Sequence, residues 1–359
     1  MARNLRERAI QGIFLSCLLV GLPTISLADP NTIPADVNQV NGCERKGTLD
    51  PALVNAESSQ KIIRVRKDGS GDFKTVTEAV KSVPAGNTQR IIISIGPGVY
   101  WEKITIERTK PFITLYGDPK DMPTLKFDGT AAQYGTVYSG TLSVYSNYFV
   151  AANLIIANAA PRPDGKRLGA QALALRILGE KAALYNCRLL GFQDTFNDDT
   201  GKHFFKDCYI EGTVDFVFGD GRSLYLNSEL HVIPGDRVAM ITAQGRQNQN
   251  DNGGYSFVHC RVTGTGQIAF LGRAWMPAPR VIFSYTTMSD VVRPEGWSDN
   301  FKPQVQKTVF YGEYQSVGPG AQANSRVKYA KALAYGQVQE YISLDFIEAA
   351  KWLLPPPRV

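Results

Sequence analysis

The sequence predicts an all-β chain wound into a parallel β-helix, a solenoid with short capping helices at its N- and C-terminal ends. Three observations lead there. Asn186-Cys187-Arg188-Leu189-Leu190-Gly191-Phe192-Gln193-Asp194 returns 21 residues later as Asp207-Cys208-Tyr209-Ile210-Glu211-Gly212-Thr213-Val214-Asp215, with cysteine, glycine and aspartate in matching places. A period of about 20–25 residues with short apolar runs marks a coil-built architecture. Short β-rich runs also recur along the chain without the helical periods that a doubly wound α/β fold requires. Finally, 33 glycines and 20 prolines are spread through 359 residues, as many short strands joined by turns demand.

The elements follow in order. Residues 1–28 read as a secretory signal peptide: Arg3, Arg6 and Arg8 precede an apolar run from Ile13 to Val20 that is too short to span a bilayer. Ser26-Leu27-Ala28 supplies the small residues of a cleavage site. No later apolar stretch has membrane-spanning length, so the mature product is expected to be secreted and soluble, without a membrane partner. Residues 29–60 are polar and aperiodic and read as a tail, which leaves 61–359 as the folded unit, opening at Lys61-Ile62-Ile63-Arg64-Val65.

Phe73, Val76, Val80 and Val83 fall at helical spacing and predict a short helix over the first coil, where bare strand edges need a cover. Strands are then expected at 91–95, 105–106, 113–116, 141–144, 153–158, 173–177, within the two repeats, and at 223–227, 256–260 and 281–283. Asn153, Asn186 and Asn227 near strand ends suggest polar ladders at coil corners. A second amphipathic helix is expected over Ser343 to Leu354, with Phe346, Ile347 and Ala350 on one face and Pro355-Pro356-Pro357 ending it. It should pack along the side of the stack.

With 43% hydrophobic and 20% charged residues the chain can bury a large core, which excludes general disorder. The formal charge is +6; three arginines and one glutamate leave with the signal peptide, so the mature chain carries +4. A mildly basic secreted protein suits an acidic polymer, and an ordinary surface excess suits the number equally well. Nucleic acid is not an expected partner, and a monomer is expected. Cys43, Cys187, Cys208 and Cys260 remain after processing. In the coil model Cys187 lies over Cys208 at a separation compatible with a disulfide, and two buried thiols fit as well. No Cys/His spacing suggests a metal site.

Stacked coils lie about 4.8 Å apart, so Asp194 and Asp215 are expected one above the other. Two carboxyls that close split their pKa values, and one can act as acid while the other stays ionised. Gln193 precedes one aspartate and Gln171 lies before the repeats; their amides can donate to a developing oxyanion. Arg273 can pair with a carboxylate, and Trp275 and Phe218 offer flat surfaces for a sugar ring. Each residue alone also has a structural reading, as ladder amide, salt bridge or core aromatic. Their convergence on neighbouring coils favours acyl transfer.

The segments Gly98-Val99-Tyr100-Trp101-Glu102, Gln171-Ala172-Leu173, Gly191-Phe192-Gln193-Asp194-Thr195, Val214-Asp215-Phe216-Val217-Phe218-Gly219 and Leu271-Gly272-Arg273-Ala274-Trp275 resemble, in order and spacing, the signature set of the pectin methylesterases (pectinesterases). The likeness runs over roughly residues 60–355 and is closest to plant members without an inhibitor-like pro-domain. It implies a right-handed parallel β-helix, removal of C6 methyl esters from homogalacturonan (pectin), a cell-wall location and no cofactor. By position, the resemblance makes Asp215 the nucleophile and Asp194 the general acid and then base. It likewise makes Gln171 and Gln193 the oxyanion hole, Arg273 the partner of Asp215, and Trp275 and Phe218 substrate contacts. A proteinaceous pectinesterase inhibitor is a further partner implied by family alone. One position departs: Asn197 stands where many plant members carry an aromatic residue.

Rival chemistries fit less well. A serine esterase lacks its Gly-x-Ser-x-Gly elbow here. An inverting glycosidase wants carboxyls about 6.5–9.5 Å apart, wider than adjacent coils give. A lyase wants a calcium site, and Asp198-Asp199 reads better as a solvated turn. A non-catalytic wall-binding solenoid has no use for an oxyanion hole.

Overall fold

The computed structural model describes residues 49–357. The expected signal peptide, Cys43 and most of the expected polar tail lie outside them. Within them the chain is a right-handed parallel β-helix of three sheets, with 11, 8 and 8 strands. Successive strands step from one sheet to the next, and every third returns to pair in parallel with its predecessor one coil below. The 11-stranded sheet runs from Gln60–Val65 to Ala330–Ala332. One 8-stranded sheet, which carries the site, comprises Ile104–Ile106, Leu142–Val144, Leu175–Ile177, Phe196–Asp198, Val217–Gly219, Ala239–Gln244, Ala269–Arg273 and Trp297–Ser298. The expected strands from Ile91 to Phe283 are present, most of them shifted by one or two residues at their ends.

Side chains alternate inward and outward, so inward residues of equivalent register stack into columns. Phe205, Tyr225, Phe257 and Phe283 form one such column, with ring centroids 4.5, 4.4 and 4.6 Å apart and near-parallel planes. The corners carry polar columns instead. Asn186 Nδ2 donates to Asn153 Oδ1 at 2.9 Å and Asn227 Nδ2 to Asp207 Oδ1, and all four residues adopt left-handed φ between 48 and 59°. The asparagine ladder is therefore real, and Asp207 is the rung that the sequence reading missed.

The first coil is capped by a helix at Val76–Ser82, whose Val76, Ala79 and Val80 are buried. Thr75 caps its start, and Glu102 accepts from the Val76 and Thr77 amides. Phe73 is not part of it, but bridges to Val65.

Three expectations need correction, and the open choice at Cys187 and Cys208 is resolved. Residues 51–57 are not tail: Pro51–Glu57 is a helix that buries Leu53 and Ala56 in a cluster with Ile342, Phe346 and Ile347. The C-terminal segment packs on the stack, but as two 3-10 turns, Leu344–Ile347 and Ala349–Lys351, broken at Glu348 with φ 51°. Cys187 and Cys208 are free and buried, each thiol turned to a backbone carbonyl (Tyr185 and Lys206, respectively), so the disulfide is absent. Asp198-Asp199 is not a solvated turn. Asp198 is wholly buried between His203 Nδ1 and the Tyr225 hydroxyl, and Asp199 binds Arg176.

Candidate active site

Strands Leu175–Ile177, Phe196–Asp198 and Val217–Gly219 lie in register, with Leu175 over Phe196 and Phe196 over Val217. The coil length there equals the sequence repeat. Asp194 and Asp215, each two residues before its strand, therefore occupy the same place on adjacent coils. The stack is closed by hydrogen bonds from Ala172 N to Gln193 O at 3.2 Å and from Asp194 N to Val214 O at 2.9 Å.

Each aspartate sits in a left-handed turn, with φ 62° at Asp194 and 52° at Asp215. Such backbone is costly for most L-residues, and short polar side chains tolerate it best. The glycine before each turn is required by space. A Cβ on Gly212 would lie 2.2 Å from Phe216 Cβ and 2.6 Å from the Phe192 carbonyl.

Both carboxyls are buried, Asp194 at 9% and Asp215 at 7% exposure. Arg273 grips Asp215 with two N–H groups: Nε donates to Oδ1 at 2.8 Å and Nη2 to Oδ2. Burial pushes Asp194 well above the usual carboxylate range, the negative charge of Asp215 pushes it further, and Arg273 only partly offsets this. Burial also raises Asp215, and the Arg273 guanidinium, which favours the ionised form, limits the rise that desolvation imposes. The pair is thus graded, with Asp194 the harder to ionise.

The outward row of this sheet runs Ser143, Arg176, Asn197, Phe218, Ala243, Arg273 and Ser298. Phe218 is half-buried beside Asp215 in sequence. Trp275 is 48% exposed, with its ring 4.9 Å from the Arg273 guanidinium. Asn197 is buried in the row, its Nδ2 donating to the Phe218 carbonyl at 3.2 Å and its Oδ1 without a partner. Where an aromatic was the family expectation, a small amide packs against the strand instead.

All five expected catalytic residues lie on coils that meet at this place. Their supports were invisible in the sequence. Gln171 Nε2 donates to Thr136 Oγ1 at 3.0 Å, which orients the amide while leaving its second proton free. Arg273 Nη1 donates to Asn300 Oδ1 at 3.3 Å, and Lys302 Nζ to the Trp275 carbonyl at 2.8 Å. Arg176 joins Asp199 to the Val137 carbonyl and lies over the Tyr138 ring. These partners are separated by 23–39 residues and share no local pattern.

The family model described as Pectinesterase matches residues 62–350. Pectinesterase 2 of Olea europaea is 54% identical over 358 residues, covering 97% of each chain. Putative pectinesterase 63 of Arabidopsis thaliana is 59% identical over 293 residues, covering 82% of this chain and 86% of its own. Among solved structures, a pectin methylesterase from carrot superposes with a TM-score of 0.76 at 30% identity, covering 82% of this chain and 97% of that one. A pectin methylesterase in complex with a hexasaccharide superposes with a TM-score of 0.69 at 27% identity, covering 83% and 99%.

Proposed function

Since this chain belongs to the pectinesterase family and is a pectinesterase, we propose that it hydrolyses the C6 methyl ester of homogalacturonan through an aspartyl acyl-enzyme. The observation that carries this reading is the graded carboxyl pair, Asp215 clamped by Arg273 with the less acidic Asp194 one coil away.

Asp215, ionised in the grip of Arg273, attacks the ester carbonyl carbon. The carbonyl oxygen gains negative charge, and the amides of Gln171 and Gln193 donate to it. As the C–O bond to the methoxyl group breaks, Asp194 gives its proton to that oxygen and methanol leaves. Asp194, now ionised, takes a proton from water, whose oxygen attacks the acyl carbon and frees Asp215. The products are one galacturonate carboxyl and one methanol. Trp275 and Phe218 give the sugar rings apolar faces to lie against.

The secretory leader predicted at residues 1–28 accords with work on wall pectin, and no described helix is long and apolar enough to cross a membrane. A proteinaceous inhibitor covering the same cleft is part of this reading.

The test is methanol release from methylated homogalacturonan by the wild type and Asp194→Ala side by side, with polymer length followed in parallel. Methanol from the wild type alone, at constant chain length, is the expected result. Chain shortening or unsaturated products would overturn the reading.

A further inference from the structure

The turn after the strand Trp297–Ser298 combines features that neither packing nor backbone economy explains. Asn300 and Phe301 are consecutive non-glycine residues with left-handed φ of 55 and 59°. Asparagine tolerates that conformation, but a bulky phenylalanine is a genuine outlier there. Phe301 is also 98% exposed, so folding gains nothing from its ring. Lone exposed apolar side chains are ordinary on protein surfaces; an exposed ring on strained backbone is not.

The turn is braced rather than loose. Phe301 N donates to Asp299 Oδ1 at 3.1 Å, Asn300 N to Ser298 Oγ at 3.0 Å, and Gln306 Nε2 to Asp299 Oδ2 at 2.7 Å. Its two tethers lead straight to the site. Asn300 Oδ1 accepts from Arg273, which holds Asp215, and Lys302 Nζ binds the Trp275 carbonyl and lies 5.7 Å from its ring. Phe301 stands between Asn300 and Lys302 in the chain, held by both tethers, with its ring presented to solvent.

We infer that Phe301 is a specificity-determining residue for the polymer: its ring lies against a galacturonate unit flanking the one whose ester is cleaved, with Lys302 beside it to meet that unit's carboxylate. The inference rests on the esterase reading above. Backbone strain held in place by surrounding hydrogen bonds is a feature of ligand-clamping segments. An aromatic face suits the C–H face of a pyranose, and an ammonium group suits an unesterified uronate. Because the contact is remote from the reacting carbon, it acts on binding of ground and transition states alike.

The experiment compares wild type, Phe301→Ala, Phe301→Trp and Phe301→Gly on methylated homogalacturonan, measuring KM, kcat and the thermal midpoint. Phe301→Ala should raise KM about fivefold with kcat within about twofold, the size expected for one lost ring contact. Phe301→Trp should restore KM. Phe301→Gly should share the raised KM with an unchanged or higher thermal midpoint, because glycine accepts the left-handed turn. An unchanged KM in Phe301→Ala, or a fall in kcat alone, would overturn the inference. So would a raised KM that tracks a lowered midpoint and is not restored by tryptophan. A wild type releasing no methanol would instead bring down the esterase reading itself, and this inference with it.

Discussion

Arg273 holds both oxygens of Asp215 from 58 residues away, and its remaining guanidinium nitrogen reaches Asn300. The guanidinium thereby fixes the carboxylate's plane, opposes the rise that burial imposes on its pKa, and ties it to the turn at Asn300. Lysine would supply the charge without the fork. Arg273→Lys is expected to lower kcat by about two orders of magnitude. It should also move the acidic limb of the pH–rate profile to higher pH, because the influence that restrains the Asp215 pKa is weakened. An acidic limb unmoved in that variant would show that Arg273 does not govern the charge of Asp215.

Asp215→Ala should abolish methanol release from methylated pectin while leaving the far-ultraviolet circular dichroism unchanged, since the stack is held by backbone pairing and inward columns. Wild-type rates in this variant would remove the nucleophile assignment. In the wild-type enzyme the rate should fall on the acidic side as Asp215 takes a proton. Burial places that limb above the ordinary carboxylate value of about 3.9.

Asp194→Asn should slow turnover by about 10²–10⁴-fold through loss of the acid and base. Its effect on stability has the opposite sign. The folded state raises the Asp194 pKa, mainly by burial, so it binds a proton that the unfolded chain has already lost. Stability therefore declines as pH rises from about 4 through the folded pKa. The asparagine variant escapes that decline, and its thermal midpoint at pH 7–8 should equal or exceed that of wild type. A lower midpoint across that range would contradict the buried-carboxyl account.

His203 is wholly buried, with Nδ1 on Asp198 and Nε2 2.9 Å from the Gly179 carbonyl. Two acceptors call for two ring protons. Burial opposes the imidazolium, but the Asp198 charge and hydrogen bond outweigh it, so the pKa is raised. A raised histidine pKa gives stability that is fully present below about pH 6.5 and lost as pH climbs through the folded value. His203→Gln should cost about 3–5 kcal/mol at pH 6, as breaking a buried ion pair does. It should also flatten the alkaline decline in thermal midpoint. An unaltered pH dependence would place that decline elsewhere.

The aromatic column offers a test of the fold alone. Phe257 stacks between Tyr225 and Phe283. Phe257→Ala should destabilise by about 3–5 kcal/mol in chemical denaturation, through a cavity in mid-column. A loss below about 1 kcal/mol would mean that the coils close over the gap.

Much of this was readable because a solenoid turns sequence period into spatial neighbourhood. The repeat ending at Asp194 and Asp215 has the length of a coil, so matching letters become matching heights in the stack. The ladder asparagines and the Val76–Ser82 cap were legible for the same local reasons: turn chemistry in one case, helical spacing in the other. The C-terminal segment misled because its apolar spacing fits a helix, yet Glu348 takes a left-handed conformation and splits it into two turns. Asp198 misled because two adjacent acids suggest solvent, and nothing nearby in sequence announces that Tyr225 and His203 will enclose one of them.

By itself the sequence determined the coil period, the stacking of one aspartate over the other, the amides and arginine around them, and hence the class of chemistry. Tertiary structure alone decided what holds those groups: Thr136 orienting Gln171, Asn300 bracing Arg273, and burial outweighing a guanidinium at Asp215. The physical reason is that strand register follows a repeating local pattern. Loop contacts and desolvation arise only when segments tens of residues apart close over one another and exclude water.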